Sequence, residues 1–155
     1  TIHSLLDAKG GYHQVALSEE SIPVSAFVSH NKQYEHLVLA QGLRTAPGHF
    51  QRLIDFILSP LSSSIRASSY LDDVVVSSKN FSHHLIDLDR VLELFAKARL
   101  RFSLSKSQLG SPSISILGFV LTGNKLQPQP AKTAAIEAIP SPTDVPSLRR
   151  LLGAF

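Results

Sequence analysis

Residues 65–78 read Ile-Arg-Ala-Ser-Ser-Tyr-Leu-Asp-Asp-Val-Val-Val-Ser-Ser, and the architecture turns on them. Ile65–Leu71 and Val74–Ser78 are strand-like runs bracketing Asp72-Asp73, the pattern of a hairpin. Val74-Val75-Val76 lacks polar alternation, which is how a strand buried on both faces reads. Adjacent carboxylates beside such strands cost several kcal/mol each unless a cation meets them. Consecutive strand residues point to opposite faces, so both acids address one site only at a turn. Hard divalent cations take oxygen ligands, and two of them roughly 4 Å apart can activate a hydroxyl and stabilise a leaving pyrophosphate. A bare Asp-Asp turn is ordinarily solvated surface; the apolar flanks on both sides argue for more here.

Upstream, Ile2–Leu6 reads as a short strand that delivers a third acid, Asp7, to its end. Gly10-Gly11 allows a tight turn before a second predicted strand, Tyr12–Leu17. Ser18-Glu19-Glu20 looks like a helix start that Pro23 keeps short. Ala26–Ser29 and Tyr34–Leu39 flank a polar turn and suggest a hairpin. Thr45 can cap a helix with Pro47 in its first turn. Its core stripe is Phe50, Leu53, Ile54, Ile57 and Leu58, and Pro60 with a serine cluster (62–64) ends it.

Downstream, the longest predicted helix spans about Ser82–Arg99, with Leu85, Leu88, Leu92 and Phe95 on its buried face and His84, Asp87 and Arg90 away from it. Short strands are expected at Phe102–Leu104 and Ile114–Leu121. A bend at Pro128-Gln129-Pro130 leads to a helix around Ala131–Ile139, and Thr143 caps a last helix carrying Leu148, Leu151 and Leu152. Strands and helices alternate without the even spacing of a sandwich, so the expected class is α+β with a mainly antiparallel sheet.

Composition narrows the chemistry. The 155 residues are 43% hydrophobic and 17% charged, enough for one folded domain with its own core. Cysteine is absent, which removes disulfides, thiolate nucleophiles and zinc knuckles. His83-His84 diverge by about 100° on a helix, so they do not chelate as a pair. No Gly-x-Ser-x-Gly turn supports a serine hydrolase. No apolar run approaches the roughly 20 residues of a membrane helix, so no membrane partner is expected. Methionine is absent even at position 1, and the chain reads as a portion of something longer. Residues 1–96 carry 7 basic and 10 acidic side chains, and residues 97–155 carry 8 and 2. A basic C-terminal third is compatible with a bound polyanion without requiring one.

Five segments then stand in a telling order: Leu6-Asp7-Ala8-Lys9-Gly10-Gly11-Tyr12-His13-Gln14; Gln41-Gly42-Leu43 with Thr45-Ala46-Pro47; Phe50-Gln51; Tyr70-Leu71-Asp72-Asp73; and Leu117-Gly118-Phe119. Together they resemble the reverse transcriptase of long-terminal-repeat retrotransposons, the Gypsy-type branch most closely. The resemblance covers nearly the whole chain, to Leu148-Arg149-Arg150-Leu151-Leu152-Gly153, which is similar to a thumb-side segment. It implies a single domain over 1–155, with the polymerase palm and partial fingers at about 1–125 and the start of the thumb at about 126–155.

The resemblance also implies an activity, RNA-directed DNA polymerisation, with a deoxynucleotide transferred to a primer 3′-hydroxyl by two Mg²⁺ ions, or Mn²⁺ in their place. Asp7, Ala8, Asp72 and Asp73 correspond to the metal ligands, and Lys106 to a catalytic lysine that assists the leaving pyrophosphate. Tyr12 corresponds to an aromatic gate against a 2′-hydroxyl, and Gln41 with Gly42 to nucleotide contacts. Leu117, Gly118 and Phe119 correspond to the primer grip. Implied partners are an RNA or DNA template with a DNA primer, deoxynucleoside triphosphates, and the remaining fingers, thumb and RNase H of a Pol polyprotein. The implied location is a cytoplasmic retroelement particle, with the nucleus as alternative.

Departures are few. Many Gypsy-type sequences have Pro-Phe at Ala40-Gln41, Tyr-Ser at Ser77-Ser78 and Cys at Ser107; none of these changes removes a carboxylate. Two further readings stand beside the polymerase: a degenerate or domesticated fragment that keeps the fold and weak nucleic-acid affinity, and a carboxylate-metal nuclease, which would need neither Tyr12 nor the Gly118 turn.

Overall fold

The computed structural model describes residues 1–61 and 63–153; Ser62, in the serine cluster expected to end a helix, lies outside the described residues. A four-stranded sheet in the order β4-β5-β1-β6 forms the centre. It is built from β1 (Ile2–Asp7), β4 (Arg66–Tyr70), β5 (Asp73–Ser78) and β6 (Gln108–Ser111), and each neighbouring pair is antiparallel. Helices α1 (Ala46–Leu58) and α2 (Phe81–Lys97) cover one face. A second sheet of β7 (Ser113–Ile116), β8 (Phe119–Thr122) and β9 (Lys125–Pro128) covers the other. The hairpin β2 (Phe27–Ser29) and β3 (Lys32–Tyr34) stands apart, and α3 (Pro130–Glu137) and α4 (Val145–Leu152) follow the second sheet. The class is α+β with antiparallel sheets. Among the described residues no helix is long and apolar enough to cross a membrane.

Strand parity explains why the middles of β1 and β5, Leu5-Leu6 and Val74–Val76, are apolar at successive positions. Leu6, Ala8, Val74 and Val76 join Phe50, Ile54, Val91 and Phe95 in the helix-side core. Leu5 and Val75, one residue out of phase, meet Ile114 of β7 on the opposite side. Burying each such side chain is worth about 1.5–3 kcal/mol, so the two central strands are held from both faces.

Several expected elements are corrected. Gly11–Gln14 is a 3-10 turn rather than the start of a strand, and only Ala16 bridges to Val38. Ser18–Glu20 forms turns, with a 3-10 turn at Pro23–Ser25. The second hairpin strand is Lys32–Tyr34 rather than Tyr34–Leu39: His30 and Asn31, both at positive φ, close a tight two-residue turn, so the strand begins at Lys32. Thr45 occupies the N-cap of α1 without a capping bond, and Asp144, not Thr143, caps α4. Phe102 makes a single bridge, to Ala8, while β6 and β9 were not foreseen. The run Ile114–Leu121 is two strands, because Leu117 and Gly118 (φ 49° and 82°) fold it back on itself.

The buried face of α2 is also rotated from expectation. His84 is fully buried (0% exposed) together with Val91 and Phe95, whereas Leu85 and Leu92 are 53% and 39% exposed. The cause is polar. Ser4 of β1 and Ser78 of β5 point their hydroxyls at the helix, and the imidazole bonds both, at 2.7 Å and 3.1 Å. Ser78 Oγ donates to Asp87 Oδ2 at 2.6 Å, so it accepts from the Nδ1–H of His84, and Ser4 Oγ also accepts from the Gly110 amide. The leucine spacing was visible in the sequence; the two buried serines that outweigh it were not.

Burial holds the His84 imidazole below its ordinary pKa of 6.5, with Asp87 opposing and His3 adding to the effect. A histidine depressed on folding contributes stability above its unfolded pKa and loses it as pH falls through the folded value. His84→Phe leaves buried hydroxyls short of a partner, and is expected to cost about 1–3 kcal/mol at pH 7.5. The gap to the native chain should narrow as thermal melts are taken from pH 7 down to pH 5; a gap independent of pH would contradict the neutral-imidazole network.

Candidate active site

Asp7 ends β1 and Asp73 begins β5, and the two are direct cross-strand partners. Such partners have Cα atoms about 4.5–5.5 Å apart and share a face. Leu5↔Val75 and His3↔Ser77 are the pairs behind them, so both acids lie on the face away from the helices, where the second sheet's apolar cover ends. Asp72 sits in the two-residue turn between Tyr70 and Asp73, which frees it from strand alternation. The sequence pattern puts both acids in the turn; only Asp72 lies there, and Asp73 is the first residue of β5, paired with Tyr70 and Asp7.

That turn requires a left-handed leucine, Leu71 at φ 51°, a conformation that costs a bulky residue about 1–2 kcal/mol. Gln51 on α1 holds it: its Oε1 accepts from the Leu71 amide at 2.7 Å, and its Nε2 donates to Ser69 Oγ at 2.8 Å and Asp55 Oδ1 at 2.9 Å. On the other flank the Ala8 amide donates to the Asp72 carbonyl at 2.8 Å. Ser107 Oγ accepts from the Asp7 amide at 3.1 Å and donates to the Ser103 carbonyl at 2.8 Å. Gln51 and Ser107 are thus positioning residues whose roles no sequence spacing revealed. Gln51→Leu is expected to leave the fold intact and to lower any carboxylate-dependent activity by about 10–100-fold, since the strained turn loses its clamp. Unchanged turnover would show that the turn holds itself.

Burial raises the Asp72 carboxyl above its ordinary pKa; Asp7 adds to this and Lys106 opposes it. Burial likewise raises Asp73, with Asp7 and then Asp72 contributing. Asp72 Oδ1 is buried without a hydrogen-bond partner. It lies where a Cβ on Gly11 would come within 2.2 Å, so only glycine fits there. Lys106 Nζ is 4.0 Å from Asp7 Oδ1, and that lysine is 72% exposed against 26% for the aspartate. Surrounding charge therefore falls short of what three neighbouring carboxylates call for.

A divalent cation fits this deficit. The described residues hold no ready-made set of three His, Cys, Asp or Glu ligands. Mg²⁺ typically takes only one or two carboxylates and completes its shell with substrate phosphates and water. Ala8 is buried and its side chain carries no donor atom, so only its backbone carbonyl could serve as a ligand.

The other expected site residues divide. Tyr12 packs edge-on against Phe50 (centroids 5.3 Å, 83°) and follows Gly11, which abuts Asp72 Oδ1; burial first, then Asp72 and Tyr70, raise the pKa of its phenol. Gln41 and Gly42 occupy an exposed turn just before α1, after the buried Leu39-Ala40. Leu117 and Gly118 form the β7–β8 turn of the second sheet, and Phe119 opens β8. Among the described residues no hydrogen bond or ion pair joins these last five to the acids. Of the expected site residues, the structure therefore brings together Asp7, Asp72, Asp73, Lys106 and Tyr12.

Residues 1–121 match the family described as reverse transcriptase (RNA-dependent DNA polymerase). The retrovirus-related Pol polyprotein from transposon opus of Drosophila melanogaster is 38% identical over 148 residues, 96% of this chain and 15% of that protein. The corresponding polyprotein from transposon gypsy, also of Drosophila melanogaster, is 35% identical over 96% of this chain and 14% of its own length. The chain thus spans about one seventh of the curated relatives it matches. Among solved structures, foamy viral protease-reverse transcriptase superposes with a TM-score of 0.85 in complex with double-stranded DNA, at 27% identity over 98% of this chain and 26% of that one. With an RNA/DNA hybrid the TM-score is 0.82, at 27% identity over 98% of this chain and 20% of that one.

Proposed function

The chain belongs to the reverse transcriptase family, and from that premise we propose that it is the palm of an RNA-directed DNA polymerase within a retroelement Pol polyprotein. The observation that carries the reading is the register of Asp7 opposite Asp73, with the buried, unpartnered Asp72 Oδ1 at the adjoining turn. In this reading residues 1–125 are palm with partial fingers, and 126–155 begin the thumb. Substrates are deoxynucleoside triphosphates, and the partner is a DNA primer on an RNA or DNA template.

Asp7, Asp72 and Asp73, with the Ala8 carbonyl, would hold two Mg²⁺ ions or Mn²⁺. When bound, the metal supplies the charge that lowers the barrier to in-line attack of the primer hydroxyl on the α-phosphate. The rest is positioning. Tyr12, braced by Phe50, rejects a 2′-hydroxyl by clash. Lys106, beside Asp7, neutralises or protonates the departing pyrophosphate. The Leu117-Gly118-Phe119 turn holds the primer end, and Gln41 with Gly42 meets the nucleotide or template.

Primer extension on a homopolymer RNA template tests this. The expected result is extension that requires Mg²⁺ and nucleotide, with duplex affinity falling as salt rises. Binding without extension would favour a non-catalytic domain, and strand hydrolysis without added nucleotide would favour a nuclease.

A further inference from the structure

Beyond Asp7 the chain turns from acidic to basic on the same face. Lys9 lies two residues after Asp7, and its amide donates to the Arg101 carbonyl at 3.0 Å. Ala8 bridges Phe102 in antiparallel sense, and the Ser103 amide donates to the Asp7 carbonyl at 2.8 Å. Residues 7–9 and 101–103 are therefore a short antiparallel ladder. Ala8 is buried and Phe102 packs against the helix-side core, so alternation puts Asp7, Lys9, Arg101 and Ser103 on the opposite, outward face. Lys9 and Arg101 are side by side there, and Lys106 reaches Asp7 from the same loop region.

Like charges directly opposite on a ladder repel. Here the arrangement is reinforced rather than relaxed. Gln14 accepts from the Arg101 amide at 2.8 Å and donates to the carbonyls of Lys9 and Arg101, each at 2.9 Å. One side chain thus ties both basic residues in place. Both are exposed, and among the described residues neither cationic head has an ion-pair or hydrogen-bond partner. Two cations held together without an acid, next to carboxylates suited to metal, complement a chain of phosphates: the metal meets its near end and the cations its far end.

We infer that Lys9 and Arg101 bind the β- and γ-phosphates of the incoming nucleoside triphosphate, with Gln14 as their positioning residue. The inference rests on the polymerase reading for the identity of the nucleotide, while the affinity for a polyphosphate stands by itself. It gives the palm its own triphosphate contacts.

The test compares the chain with a Lys9→Gln/Arg101→Gln variant, both changes being on exposed side chains. Inorganic tripolyphosphate with Mg²⁺, titrated calorimetrically, should bind the native chain and bind the variant at least tenfold more weakly. Equal affinity, or no binding by the native chain, overturns the inference. In primer extension the variant should raise the KM for nucleotide at least tenfold and leave the Kd for primer–template unchanged. A loss confined to primer–template affinity would assign these cations to nucleic acid and overturn it. Tripolyphosphate binding by a native chain that never extends a primer would sink the polymerase reading and spare the cation site.

Discussion

Asp72→Asn is expected to remove Mg²⁺-dependent extension and at the same time raise the thermal midpoint. Losing one metal-facing carboxylate forfeits several kcal/mol of transition-state charge stabilisation, and about 4 kcal/mol corresponds to roughly 10³-fold in rate. The stability change runs the other way. Burial, then Asp7, raises the Asp72 pKa above its ordinary 3.8. A carboxyl raised on folding contributes stability below its unfolded pKa and loses it as pH rises through the folded value. At pH 7 the ionised side chain is therefore a net burden on the fold, and the neutral amide relieves it. The difference in midpoint between variant and native chain should shrink as the pH approaches 4. A variant that polymerises normally, or melts lower at pH 7, would contradict the assignment of Asp72 as a strained ligand.

Gly11→Ala carries the second large effect. The added methyl would stand 2.2 Å from Asp72 Oδ1 and 2.7 Å from Phe50 Cζ, and neither can be met without moving the carboxylate or a fully buried core ring. Overpacking of this kind costs about 1–3 kcal/mol. The functional loss should be larger, because the Gly11–Gln14 turn also carries Tyr12, whose ring rests on Phe50. Urea denaturation should show the destabilisation, and extension should fall by about 100-fold or more. Gly10 provides the contrast: its absent Cβ faces open space and only its φ of 59° is demanding, so Gly10→Asn should be far milder in stability. Equal destabilisation by the two changes would mean that the contact with Asp72 is not what excludes a side chain at Gly11.

What the sequence revealed follows a physical division. Apolar runs and turn residues are local, so Val74–Val76 as a doubly buried strand, the Asp-Asp turn and the α1 stripe were legible directly. The meeting of Asp7 with Asp73 is a register between strands far apart in the chain, and the residues alone required only that the acids find cations. The resemblance supplied that pairing. Features set by tertiary polar bonding escaped: His84 is buried because Ser4 and Ser78 await it, and Gln51 matters because Leu71 is left-handed. Hydrophobic periodicity counts leucines and is blind to a buried serine. The apolar run Ile114–Leu121 likewise does not show that Gly118, at φ 82°, breaks it into two strands.

In the polymerase reading Asp7, Asp72 and Asp73 share bound metal, and Mn²⁺ would report on this directly through electron paramagnetic resonance. Titrated with a deoxynucleoside triphosphate, the native chain should withdraw Mn²⁺ from the free pool beyond what the nucleotide takes up alone, and Asp7→Asn, Asp72→Asn and Asp73→Asn should each abolish that excess. Equal Mn²⁺ uptake by the native chain and by all three variants would show that these carboxylates do not hold the metal.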